Sequence, residues 1–212
     1  MRSPARLWSV ATARAGRRYR DVARSRGRRV LRDLAPGSSV QLGSGGNNWE
    51  GWVNVDLSPS SRPDLVLDLR GGFPAPPVVR RAYSEHVLEH LDLEDGRRLL
   101  ADLAAALEPD GVVRIAMPDL DHLIDCYRGD WRAQAWLDDE AYAHIDSAAH
   151  MFNHGLRSWG HKYVYGFDEL ELRLREAGFT TIERMGWGQS SVPELRDRET
   201  RPDSLLVVEA RR

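Results

Sequence analysis

The sequence predicts an α/β fold, three layers deep around a mostly parallel sheet. Two observations carry this expectation. Short apolar runs of strand length alternate with longer segments whose apolar residues recur at helical spacing, the order produced by βαβ units. The first apolar run, 40–42, ends in Gly43-Ser44-Gly45-Gly46 and the second ends in Asp56, so a glycine turn and a carboxylate fall at matching ends of successive strands.

Strands are expected at 40–42, 53–56, 65–68, 81–84, 112–116, 180–185 and 204–209. The run 81–84 is the least regular, because the stretch 71–79 before it is rich in proline. The clearest helix covers 93–107. Asp92 stands at its N-cap, Leu99, Leu100, Leu103 and Leu107 make one stripe, and Pro109-Asp110-Gly111 turns the chain into the next strand. A second helix, 168–177, stops at Gly178 in the C′ position. Ahead of these, Leu7, Trp8, Ala11, Ala15 and Tyr19 recur at loosely helical spacing among arginines, and Pro36-Gly37 ends the segment. Residues 1–37 are therefore expected to form an Arg-rich helical arm, and 38–212 the domain.

A chain of 212 residues, 42% hydrophobic and 29% charged, is long enough for one domain with a sizeable core. Its single cysteine, Cys126, excludes an internal disulfide framework and any cysteine-based zinc cluster. No apolar run approaches the roughly 20 residues that span a bilayer, and the first residues lack the unbroken apolar stretch of a signal peptide, so a cytoplasmic protein is expected. The formal charge of -2 hides an asymmetry. Residues 1–39 hold eleven arginines against Asp21 and Asp33, which leaves the remainder strongly acidic. The arm is thus suited to an anionic membrane surface, at the inner face of the membrane, or to packing on the acidic body. Nucleic acid is not an expected partner.

In an open α/β sheet ligands collect outside the carboxyl ends of the strands. Gly43-Ser44-Gly45, Asp56, Asp68 and Ser84-Glu85-His86 all fall there. A carboxylate after the second strand can accept both hydroxyl protons of a ribose, and one after the third can accept an adenine amino proton. Together they describe an adenosine site. The dinucleotide fingerprint fails, because Asn48 stands where its third glycine belongs and Asp56 comes too soon after Gly45. The P-loop fails as well: the only lysine, Lys162, follows a histidine. His150 and His154 share one helical face, but with Asp146 as the only adjacent carboxylate no metal is expected. The segment 144–166 is rich in His, Trp and Tyr, and is expected to be a substrate-binding insertion.

These residues resemble a family, the class I S-adenosylmethionine-dependent methyltransferases, and in it a bacterial group of small members with the pattern LGCG…GWxNVD. The resemblance is carried by LGSG at 42–45, GWVNVD at 51–56, DLVLDL at 64–69, YSEHVLEHL at 83–91, LEPDGVVRIAMPDL at 107–120 and REAGF at 175–179. It closes with PELRDRETRPDSLLVVEA at 193–210, and so covers residues 38 to 210. It implies a Rossmann-like methyltransferase sheet that binds S-adenosyl-L-methionine and methylates a small-molecule, glycan or lipid acceptor. Carried over, Gly43 and Gly45 pass close to the methionine part, Asp56 holds the ribose, Asp68 faces the adenine, and Ser84 and Glu85 lie near the sulfonium end. Ser44, Leu57 and Leu69 complete the implied cofactor-binding set, Ser44 standing in place of the usual cysteine. For a hydroxyl acceptor a base is needed, and His86 is the first candidate, with Glu85 beside it and His150, His154 and His161 as alternatives if 144–166 folds over the site. The rival reading is a cofactor-binding adaptor without catalysis, working through its basic arm.

Overall fold

The computed structural model describes residues 31–73 and 75–212, so residues 1–30 of the arm expected over 1–37 lie outside the described residues. The strands are β1 (Ser38–Leu42), β2 (Val53–Asp56), β3 (Leu65–Val66), β4 (Val79–Glu85), β5 (Leu107–Met117), β6 (Thr181–Met185) and β7 (Leu206–Arg211). The α-helices are α1 (Leu93–Ala106), α2 (Leu120–Arg128), α3 (Ala148–Arg157) and α4 (Phe167–Ala177). All seven strands join one sheet in the order β3-β2-β1-β4-β5-β7-β6. Pairing is parallel from β3 through β5, while β7 runs antiparallel to both β5 and β6.

The strand order decides where a ligand can sit. The chain steps outward from β1 through β2 to β3, then crosses back to lay β4 on the other side of β1. Connections leave β1 and β4 in opposite directions, so a crevice opens at their carboxyl ends.

Alternation along the strands separates two faces. Val40, Leu42, Val55, Val113, Ile115 and Val208 belong to the main core with Leu99, Leu100 and Leu103 of α1 and Leu170 and Leu174 of α4. Leu31 is fully buried in the same core, on the arm's side of the boundary expected at residue 37. The other face buries polar groups, among them Gln41, Asn54, Arg114 and Glu209, together with Tyr83 and Val112. Over Tyr83 and Val112 its cover is Trp49, Trp52, Val192 and Leu195. Among the described residues, loops and the 3-10 turn Pro193–Leu195 cover this patch, where the sequence predicts a helical layer. The physical reason lies in the β1–β2 connection, which spends its residues on turns and two tryptophans instead of a crossover helix.

The remaining expectations fare unevenly. The stripe of α1 is as expected, and Asp92 caps it by accepting from the Asp95 amide. Gly178 closes α4 in the left-handed conformation. The turn at 109–111 survives as a bulge inside β5, between the pairs Val79↔Leu107 and Arg81↔Val112. The strand expected over 65–68 stops at Val66, because Asp68 turns to cap the 3-10 turn Leu69–Gly71.

Between β5 and β6, α2 and α3 pack on each other around Leu123, Cys126, Ile145 and Met151, in a second small core. The Leu120 amide donates to the Tyr165 carbonyl at 2.9 Å, which fastens this unit beside the strand ends. No helix among the described residues is long and apolar enough to cross a membrane.

Candidate functional site

The glycine turn after β1 doubles back on itself. The amides of Gly43 and Ser44 both donate to the Val55 carbonyl, at 2.7 and 3.1 Å, and Gly43 takes a φ of 68°. A Cβ on Gly43 would stand 2.2 Å from a Val87 methyl, so the close approach of the turn to the segment after β4 requires glycine. Asp56, at the end of β2, ties the turn down: its carboxylate accepts from the Gly45 amide at 2.8 Å and the Ser58 amide at 2.7 Å. Each oxygen has then used one lone pair and keeps another.

A cleft of about 310 Å³ opens at this switch point, within the range of small-molecule sites. Gly43, Asp56, Leu57, Asp68, Leu69 and His86 line it, and Gly160 and Lys162 reach it from the segment after α3. Asp68 is buried, and the Arg70 guanidinium forks onto both its oxygens at 2.8 and 2.9 Å. Leu57 is exposed on the wall and offers an apolar surface.

Four residues of the implied cofactor-binding set, Ser44, Gly45, Ser84 and Glu85, do not line the cleft. Glu85 faces away from it. Its carboxylate accepts from the Thr200 and Arg201 amides at 2.8 and 3.1 Å, and from the hydroxyls of Thr200 and Ser204 at 2.7 Å each. It is the anchor of the loop before β7.

A second cavity, of about 340 Å³, adjoins the first across the shared residues His86 and His90. Its other walls are Trp136, Tyr142, Trp159, His161, Arg201 and Asp203. Of the segment 144–166, Trp159 and His161 line this cavity. Of its histidines only His161 lines this cavity. His150 sits on the surface beside Asp146, 3.2 Å away. His154 stacks on Trp136, with ring centroids 5.3 Å apart, and burial, followed by the charges of His144 and His150, pushes its pKa down.

His86 adopts a left-handed φ of 51° and is buried between the two cavities. Both ring nitrogens are engaged. Ser204 gives its one hydrogen to Glu85, so the 3.1 Å bond between His86 Nε2 and the Ser204 hydroxyl is donated by the ring. Nδ1 stands 3.1 Å from a Glu89 oxygen, an ion pair when the ring carries its second proton. Burial, which outweighs the pull of Glu89, pushes the His90 pKa down from its ordinary value. Burial also pushes the Tyr83 phenol far up, beneath Trp49 at a centroid distance of 4.8 Å.

Sequence reasoning did not single out Arg70, Glu89, Arg201 or Asp203. Glu89 had a signal in reach, since it stands three residues after His86 and directly before His90. Arg201 and Asp203 had none, because they arrive from the far end of the chain.

No protein-family model and no curated protein matches this chain. Solved structures do resemble it. One is described as a possible exported protein from Bordetella parapertussis, with a TM-score of 0.53 and 15% identity, covering 100% of this chain and 70% of that one. An S-adenosylmethionine-dependent methyltransferase from Mesorhizobium loti gives a TM-score of 0.49 and 21% identity, over 87% of this chain and 95% of its own. One from Archaeoglobus fulgidus gives 0.48 and 14%, over 91% and 94%. At 15% identity the first of these likenesses is one of fold alone.

Proposed function

We propose that this chain is an S-adenosylmethionine-dependent methyltransferase acting on a small-molecule, glycan or lipid acceptor. The observation that carries the reading is the pair of adjoining cavities at the sheet's switch point, one with a carboxylate at the end of β2 and the other walled by aromatic rings. The sequence resemblance supplies the cofactor's identity. Bound in the first cleft, S-adenosylmethionine supplies a methyl group already activated by its sulfonium.

The residues present fit such a group. Asp56 keeps one lone pair on each oxygen for two ribose hydroxyls, with the turn that it fastens already in place. Leu57 and Leu69 give a flat ring its apolar walls, and Asp68 with Arg70 closes that end. On the acceptor side, Trp136, Tyr142 and Trp159 offer ring faces and Arg201 and Asp203 offer polar groups, a combination suited to a hydroxyl-bearing molecule with apolar faces, such as a sugar. His90, shared by the two cavities, and His161, on the wall of the second, can hold the accepting oxygen in line with the methyl group. For residues 1–37 the proposal rests on sequence: an Arg-rich segment meeting an anionic lipid surface.

Calorimetry on the full chain tests the reading. S-adenosylhomocysteine and S-adenosylmethionine should bind one per chain, and NADH and ATP should not. Absence of binding by the first two would overturn it, and S-adenosylhomocysteine formation with a panel of glycans and lipids would then separate enzyme from adaptor.

A further inference from the structure

Glu89 is the least expected side chain of the molecule. It is fully buried, and neither oxygen accepts a hydrogen bond. A bare buried carboxylate is costly unless a cation compensates it. Among the described residues no lysine or arginine pairs with it; its ion-pair partners there are imidazoles, His86 Nδ1 at 3.1 Å and His90 Nε2 at 3.9 Å. The 3.1 Å approach of His86 lies within hydrogen-bond distance but off the ring's donor direction, so it orients the carboxylate without satisfying it.

Two further histidine features converge here. His161 comes from the inserted segment, its ring centroid 5.1 Å from that of His90. Its Nδ1 is bonded to the Gly155 carbonyl at 2.9 Å, which fixes the tautomer and leaves the Nε2 lone pair available. One atom each of Glu89, His90 and His161 lie within 4.8 Å of one another. The Glu89 carbonyl in turn accepts the Lys162 and Tyr163 amides at 2.8 and 3.2 Å, so the backbone itself locks the two segments together at this point.

We propose that Glu89, His90 and His161 bind a divalent transition-metal ion at the boundary of the two cavities. Two imidazoles and one carboxylate are the donor set of open zinc sites, and imidazole favours zinc, cobalt and their first-row neighbours over magnesium or calcium. Bonds of ~2.1 Å bring tetrahedral ligand atoms to ~3.4 Å from one another, a contraction that side-chain rotation at His90 and His161 supplies. His86 acts as a positioning residue: Ser204 fixes its ring through Nε2, and the ring packs with Nδ1 3.1 Å from a Glu89 oxygen. His90 and His161 line the aromatic cavity, so an acceptor hydroxyl entering there could complete the ion's coordination, become more acidic and give its proton to solvent water. That last role rests on the methyltransferase reading; ion binding does not.

The test uses full-length protein stripped with a chelator and titrated with Zn2+ by calorimetry and Co2+ by visible absorption, with no cofactor or acceptor present. One ion per chain is expected, with visible Co2+ bands, and His161→Ala and Glu89→Gln should each weaken binding by about tenfold or more. His161→Ala removes a half-buried ring near the surface, so it decides the matter if Glu89→Gln fails to fold. His144→Ala and His150→Ala should change nothing. No stoichiometric binding by the wild type, or binding lost with His144 or His150 instead, would overturn the site. S-adenosylhomocysteine binding measured on the same stripped sample keeps that outcome distinct from failure of the methyltransferase reading.

Discussion

Replacing Arg114 with methionine should cost the domain a large part of its stability. Arg114 lies on β5 with no exposed surface; its Nε donates to Glu199 at 2.6 Å and its Nη1 to Glu209 at 2.8 Å and to the Gln189 carbonyl at 2.7 Å. Burial works against its charge, yet the two carboxylates outweigh that and hold the guanidinium above its ordinary value. Both acids are themselves buried, so Arg114→Met strands two negative charges. Breaking a buried pair from one side costs about 3–5 kcal/mol, against a total of roughly 5–15 kcal/mol for a typical domain. For a chain of this length that lowers Tm by roughly 6–20 °C. Urea unfolding followed by circular dichroism gives the number. The triple variant Arg114→Met, Glu199→Gln, Glu209→Gln removes the stranded charges and should recover part of the loss. A single variant within about 1 kcal/mol of wild type, or a triple no better than the single, would refute the reasoning.

Three further outcomes are expected. Gly43→Ala combines a left-handed φ with a methyl clash on Val87, so it should cost about 1–3 kcal/mol and weaken S-adenosylhomocysteine binding in calorimetry, with partial recovery when Val87→Ala is added. Glu85→Ala should free the loop before β7, seen as faster tryptic cleavage after Arg198, with cofactor affinity kept within a few-fold; a full loss of affinity would place Glu85 in the cleft after all. His154 has a folded pKa below its unfolded value near 6.5, so its contribution to stability is complete above that pH and lost as pH falls below it, when only the unfolded chain takes up the proton. His154→Phe should therefore show a smaller drop in urea midpoint between pH 7.5 and 5.5 than wild type, and an unchanged drop would remove the assignment.

What the sequence made legible was what depends on neighbours along the chain. Strand alternation, the stripe of α1 and the glycine at the end of α4 are local patterns, and they appear where expected. Asp56 was legible for the same reason, since a glycine turn and the next strand's end are a few residues apart. α2 was missed because its stripe is thin: only Leu123 and Cys126 are buried, and its capping Asp119 reads equally well as a loop acid. The polar face of the sheet was also hidden. Arg114 sits in an apolar run, and only the fold reveals Glu199 and Glu209 as its partners.

The neighbours Glu85 and His86 show how far such non-local contacts reshape a site. Consecutive strand residues point to opposite faces, and Glu85 accordingly turns to the loop that roofs the polar face. His86 would then point into the main core, where a polar ring has no place. The left-handed φ of 51° redirects it to the wall between the two cavities, while its amide stays bonded to the Ala116 carbonyl at 3.0 Å. Such a backbone costs about 1–3 kcal/mol and persists only where surrounding contacts hold it. Here they are the bond of Nε2 to Ser204 and the packing of Nδ1 3.1 Å from Glu89. Ser204 is held in turn by Glu85, so the residue that sequence reasoning placed at the cofactor acts through the loop to position the ring that does line the cleft.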